Sequence, residues 1–126
     1  MYDSNETPDY LRMILTRTRN DRQLAFAICS QLFAEMPEQL VSIQNALTGR
    51  RFDLAQQVTH KLHGSLSFSG FENIRKQAEH LECCLVNKNY GAISRYWFQL
   101  QQCALDFTAQ QQTLLSDLSG DNVQGD

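Results

Sequence analysis

The sequence predicts an all-α protein, an antiparallel up-and-down four-helix bundle with a short extra N-terminal helix. Three observations predict it. Apolar residues recur at steps of three and four along most of the chain, the spacing of one helix face. No stretch keeps the strand period of two for long. Helix breakers are sparse, with two prolines in all and only Gly49, Gly64, Gly70 and Gly91 between Asp9 and Leu118. Successive amphipathic helices with short connections pack as antiparallel neighbours around one core.

The first helix is short, from Asp9 to Arg19, with Leu11, Ile14 and Leu15 on one side. The second starts near Asp21. Its stripe is Cys29, Leu32, Phe33, Met36, Leu40, Ile43 and Leu47, and Gly49 supplies a stop signal. Pro37 lies inside it and is expected to bend the helix or remove one backbone bond, because it has no donor. The third begins near Asp53, whose carboxylate suits a helix start, and ends at Gly70. Leu54, Val58, Leu62 and Leu66 form its stripe. The fourth, Phe71 to Lys88, carries Ile74, Ala78, Leu81 and Leu85. After a turn at Asn87–Gly91, one last helix bears Ile93, Trp97, Leu100, Ala104, Phe107 and Leu114 to about Leu118.

A chain of 126 residues that is 42% hydrophobic and 20% charged fits one domain with a modest core. The bundle is assigned to residues 9–118, with 1–8 and 119–126 as flexible tails. A net charge of −3 argues against nucleic acid or an anionic membrane as the main partner. No apolar run approaches the roughly 20 residues of a spanning helix, and Met1–Pro8 is polar rather than signal-like. The expectation is a cytoplasmic monomer without membrane insertion. Cys29, Cys83, Cys84 and Cys103 make no C-x-x-C pair and no zinc spacing, so buried, reduced thiols are expected.

The segment Thr59-His60-Lys61-Leu62-His63-Gly64-Ser65 does not read like packing. At about 100° per residue, His60 lies roughly 160° from Leu62 and points to solvent. Gly64 sits only about 40° from His60, and Ser67 shares that face. A glycine inside a helix costs on the order of 1 kcal/mol relative to alanine. On a solvated face it provides clearance, so that a partner or a phosphoryl group can come close to the imidazole. A neutral ring near pH 7 is nucleophilic, with one nitrogen free to react while the other is held by an acceptor. Lys61 and His63 flank it and can offset phosphate charge. Spacing alone leaves an ordinary surface histidine beside a stray glycine equally open.

The stretch from His60 to Glu82 resembles the signature of histidine-containing phosphotransfer (HPt) domains. That signature is roughly His-x-Leu-Lys-Gly-Ser, a glycine closing the helix, then Leu-Glu on the next helix. Here it stands as His60-x-Leu62-His63-Gly64-Ser65, Gly70 and Leu81-Glu82. The likeness extends over about Asp9–Leu118, including Phe33-x-x-x-Pro37. His63 stands where the family usually has lysine, as in HPt domains similar to those of BarA/GacS-type hybrid sensor kinases. The resemblance implies that His60 accepts a phosphoryl group from a receiver-domain aspartate and passes it to another receiver. It implies Gly64 for clearance and Glu82 as a candidate to hold the His60 ring, although a boundary carboxylate is an equal reading of Glu82. The stabilising group for the phosphate is left open among Lys61, His63 and the incoming receiver.

Such a chain resembles a passive carrier rather than an enzyme, with no nucleotide loop. No cofactor of its own is implied, Mg2+ being expected on the partner receiver. The implied partners are response-regulator receiver domains and a hybrid sensor kinase. The docking surface is assigned to Gln56, Gln57, Lys61, Gly64, Ser67 and Phe68, although for Phe68 a cap on the bundle is the preferred reading. Two other classes remain beside this one. A metal-binding bundle would use His60, His63 and His80 with Cys83 and Cys84. A helical interaction module would need no phosphate at all.

Overall fold

The computed structural model describes residues 8–120. All its elements are helical: α1 (Tyr10–Arg17), α2 (Arg22–Thr48), α3 (Phe52–Ser69), α4 (Glu72–Val86), α5 (Ile93–Ala109) and α6 (Gln111–Ser119). A single 3-10 turn, Tyr90–Ala92, leads into α5. Among the described residues there is no strand. Packing runs α2 on α3, α3 on α4, α4 on α5, and α6 back onto α2, which closes the bundle. The short α1 lies against α6 and α2.

Local chemistry sets the helix ends. The Asp9 carboxylate accepts from the Arg12 N–H at 3.1 Å, and Asp21 accepts from the Leu24 N–H at 3.0 Å. Each satisfies a donor that the first turn leaves without an intrahelical partner. At the other end of α3, Gly70 takes the left-handed conformation at φ 82°, and a Cβ there would meet the Arg17 side chain at 3.3 Å. Arg17 needs that space. Its guanidinium reaches from α1 to donate to the Phe68 and Ser67 carbonyls at 2.9 and 2.7 Å, capping the last turn of α3. Gly49 closes α2 at φ −84°, and the left-handed turn falls on Arg50 at φ 57°.

The core gathers Phe33, Phe71 and Phe107 with Tyr10 at one end. The Phe33 and Phe107 rings stack at 4.5 Å, and Tyr10 meets Phe107 edge-on at 4.8 Å. Trp97 of α5 donates its indole N–H to Gln44 of α2 at 2.8 Å, joining the opposed helices.

Four details depart from the sequence reading. On α3 the buried side is Ala55, Thr59, Leu62, Leu66 and Ser69, while Leu54 and Val58 are only partly buried. A strict four-residue repeat drifts about 40° per step, so Leu54 has rotated off the face that Leu66 occupies. The last helix is two, breaking at Gln110 so that α6 can turn onto α2. Ser119, expected in the tail, completes α6 and Gly120 caps it at φ 83°, and Pro8 accepts from the Tyr10 N–H; the remaining tail residues, 1–7 and 121–126, lie outside the described residues. Cys83 is exposed rather than buried, because it follows Glu82 around the outer side of α4. Pro37 is accommodated inside an unbroken α2, at the cost of the backbone donor it lacks.

Burial pushes the Cys29 thiol up to about 12. Burial, aided by Asp106, pushes Cys103 up to about 11. Because the thiolate is the nucleophile, iodoacetamide should label Cys83 in the native protein well before Cys29 or Cys103. Peptide mass spectrometry checks this; equal labelling of Cys29 would mean that the bundle opens readily.

Thr59 is fully buried, and its hydroxyl has no hydrogen-bond partner. An unpaired buried hydroxyl is a standing cost, so Thr59→Val should stabilise the bundle by about 1 kcal/mol. Urea unfolding reads this directly, and a comparable loss of stability would reveal a buried partner such as a water molecule.

Candidate functional site

The site is built across the contact between α3 and α4. His60 emerges from α3 with its side chain 74% exposed, one residue beyond buried Thr59 and two before buried Leu62. Glu82 follows buried Leu81 on α4, which sets it at the edge of that helix facing α3. Its carboxylate serves two rings. Oε2 meets His60 Nδ1 at 2.6 Å, and Oε1 meets His63 Nδ1 at 2.8 Å. Glu82 and His63 are 17% and 22% exposed, so both lie under the rim while His60 stands above it.

Behind His63 is Arg75 of α4, whose Nη1 lies 3.3 Å from His63 Nε2. Arg75 also donates to Glu72 at 2.8 Å and to Glu79 at 3.2 Å. The hydrogen bond that Arg75 donates to Glu72 is the largest influence and, with the charge of Glu72 and the contact with Glu79, holds the guanidinium above its usual range against the opposing effect of burial. Arginine has donors only, so the nitrogen it faces must be the acceptor. His63 is then the Nδ1–H tautomer, and it donates to Glu82. His60 Nδ1 faces the other carboxylate oxygen, which can only accept. In the neutral ring the proton of His60 therefore sits on Nδ1, and the Nε2 lone pair is directed away from the carboxylate.

Gly64 has no atom within 4 Å of where a Cβ would stand. No packing inside the chain requires its small size. Next to it a groove of about 540 Å³ runs between α2 and α3, lined by Ile28, Leu32, Gln39, Lys61, Gly64 and Phe68 among others. Phe68 is 64% exposed on this groove and does not cap the bundle. Ser67 is partly buried, with its carbonyl taken by Arg17. Gln56 and Gln57 lie on α3 one turn before His60, Gln57 the more exposed, and neither hydrogen-bonds to the carboxylate cluster.

A family model described as the Hpt domain matches residues 27–119, most of the chain. The chain belongs to the Hpt domain family. No curated protein and no solved structure matches the chain. HPt domains are histidine phosphotransfer modules of two-component systems, phosphocarriers without kinase activity of their own. They interact with receiver domains and kinases. The matched span begins within α2, so α1 and its Arg17 cap on α3 lie outside it.

Sequence reasoning missed Arg75. A signal was there: Glu72, Arg75, Glu79 and Glu82 step by three, four and three along one face of α4, a polar stripe ending at the carboxylate that holds His60. His80 is not part of this HPt site; its ring lies against Tyr96 at 5.4 Å. Among the described residues, no group of three or more His, Cys, Asp or Glu is placed to hold a metal ion. None of the described helices is long and apolar enough to cross a membrane.

Proposed function

We propose that this HPt domain is a phosphorelay intermediate, taking a phosphoryl group from a receiver-domain aspartate onto Nε2 of His60 and passing it to another receiver. One observation carries the reading. His60 is exposed with its Nδ1 tied to Glu82, whereas His63 has both ring nitrogens engaged, by Glu82 and Arg75. Of the two histidines in the motif, His60 alone offers a free lone pair to a partner.

In the forward step the Nε2 lone pair forms a bond to phosphorus while the bond from phosphorus to the aspartyl oxygen breaks, and the aspartate leaves as a carboxylate. The imidazole becomes positively charged as the N–P bond forms. Glu82, 2.6 Å from Nδ1, stabilises that charge. The reverse sequence on a second receiver returns the ring to its neutral form. Mg2+ belongs to the receiver, where it offsets phosphoryl charge; this chain supplies a fixed nucleophile and a docking face.

The docking face comprises the groove beside Gly64 with Lys61 and Phe68, extended along α3 by Gln56, Gln57 and Ser67. Phe68 is the apolar anchor and Lys61 the cation nearest in sequence to the incoming phosphoryl group. His63 is turned inward and serves the carboxylate rather than the phosphate. A hybrid sensor kinase carrying its own receiver is the proposed donor, and the cytoplasm the proposed compartment.

The test is incubation with a receiver domain labelled on its aspartate. Acid-labile, base-stable label should appear on the wild type and on His63→Gln, and be missing from His60→Gln. Label that follows His63 instead would reassign the site.

A further inference from the structure

We propose that Arg75 and His63 are positioning residues that set the tautomer of His60 by holding Glu82 in one orientation. This rests on His60 being the phosphoryl acceptor, and it concerns what makes that ring ready before any partner arrives.

The chain of donors has one direction. Glu72 and Glu79, one turn either side of Arg75 on α4, hold the guanidinium. Arg75 donates to His63 Nε2, which places the His63 proton on Nδ1. That proton is donated to Glu82 Oε1 at 2.8 Å. The carboxylate then presents Oε2 to His60 Nδ1 at 2.6 Å. An imidazole free in water exchanges its proton between two nitrogens, and only the Nδ1–H form leaves Nε2 with the outward lone pair. A carboxylate that orients a histidine ring is the general means of choosing between them.

Glu82 alone could make the bond to His60, but a glutamate with three free torsions loses rotamer entropy each time it does so. The bond from His63 restrains it beforehand. The tautomer of His63 matters for a second reason. A cation hydrogen-bonded to Oε1 would draw on the negative charge of the carboxylate. A neutral Nδ1–H leaves that charge available when the His60 ring becomes positive. Arg75 gives His63 the neutral form by occupying Nε2. Where the family usually has a lysine, this chain has an imidazole whose reach is inward, and its companion is an arginine two turns before Glu82 on the same face of α4.

The experiment uses the full chain labelled with 15N at histidine, in alkaline buffer. Long-range proton–nitrogen correlations read each tautomer, and phosphoryl transfer from a labelled receiver is timed in parallel. In the wild type, both His60 and His63 should be wholly Nδ1–H. In Arg75→Met the His63 ring should become a tautomer mixture, the Nδ1–H fraction of His60 should fall, and transfer should slow on the order of tenfold. Arg75→Lys, which restores a donor, should recover both. His63→Leu should change the His60 tautomer in the same direction. Circular dichroism separates these effects from unfolding. Unchanged tautomers in Arg75→Met and His63→Leu would overturn the proposal. If the wild type accepts no label, the carrier reading fails, while the tautomer spectra still decide whether Arg75 and His63 control the ring.

Discussion

Replacing His60 with glutamine should abolish phosphoryl acceptance and leave the bundle folded. The side chain is 74% exposed, and its hydrogen bond is to Glu82 on the neighbouring helix. The glutamine amide can still donate to that carboxylate, so Glu82 is not left without a partner. What is lost is the ring nitrogen lone pair, and an amide nitrogen has no equivalent nucleophilicity. Stability should change by no more than about 0.5 kcal/mol, the usual range for an exposed position. Two measurements go together: the stoichiometry of acid-labile label and the urea midpoint. Stoichiometric labelling of His60→Gln would remove His60 as the acceptor. Loss of label together with a large fall in the midpoint would point to a structural role instead.

Gly64→Gln should move stability and transfer in opposite directions. A Cβ at position 64 meets nothing within 4 Å, so the bundle has no steric objection to a side chain there. Removing a glycine from the interior of α3 recovers part of the roughly 1 kcal/mol that glycine costs a helix. The variant should therefore unfold at a higher urea concentration than the wild type. The same side chain projects beside His60, one turn along α3, where a receiver must approach. Displacing the reacting groups by about 1 Å can cost on the order of 100-fold in rate, and transfer should fall by that order. A more stable protein with unimpaired transfer would remove the clearance role. A less stable one would show that the glycine answers to packing after all.

How legible the molecule was in its sequence varies by element. The stripes of α4 and α5 were readable because each helix buries one narrow arc: Ile74, Ala78, Leu81 and Leu85 are all buried, as are Ile93, Trp97, Leu100, Ala104 and Phe107. The stripe of α3 was misread at its start because its buried side there is built from small residues. Ala55 and Thr59 are the buried residues there, and neither is prominent in a hydrophobic pattern. The break at Gln110 had no glycine or proline to announce it, and Phe107 and Leu114, seven residues apart, remain in helical phase across it. For the site, an exposed His60 with Gly64 one turn away followed from helical geometry within a single element.

The sequence by itself determined an all-helical bundle, because apolar spacing and the scarcity of breakers are properties of short segments. It also determined that His60 faces solvent, since about 100° per residue settles the side of a helix on which a residue lies. Only the tertiary structure decided that Glu82 serves both rings, that Arg75 occupies the far nitrogen of His63, and that Phe68 borders a groove with α2. Those relations depend on how α2, α3 and α4 are rotated against one another. That rotation is set by the fit of side chains from several helices at once, Leu62, Leu66, Ile74, Ala78 and Leu81 among them. No single stretch of chain carries it.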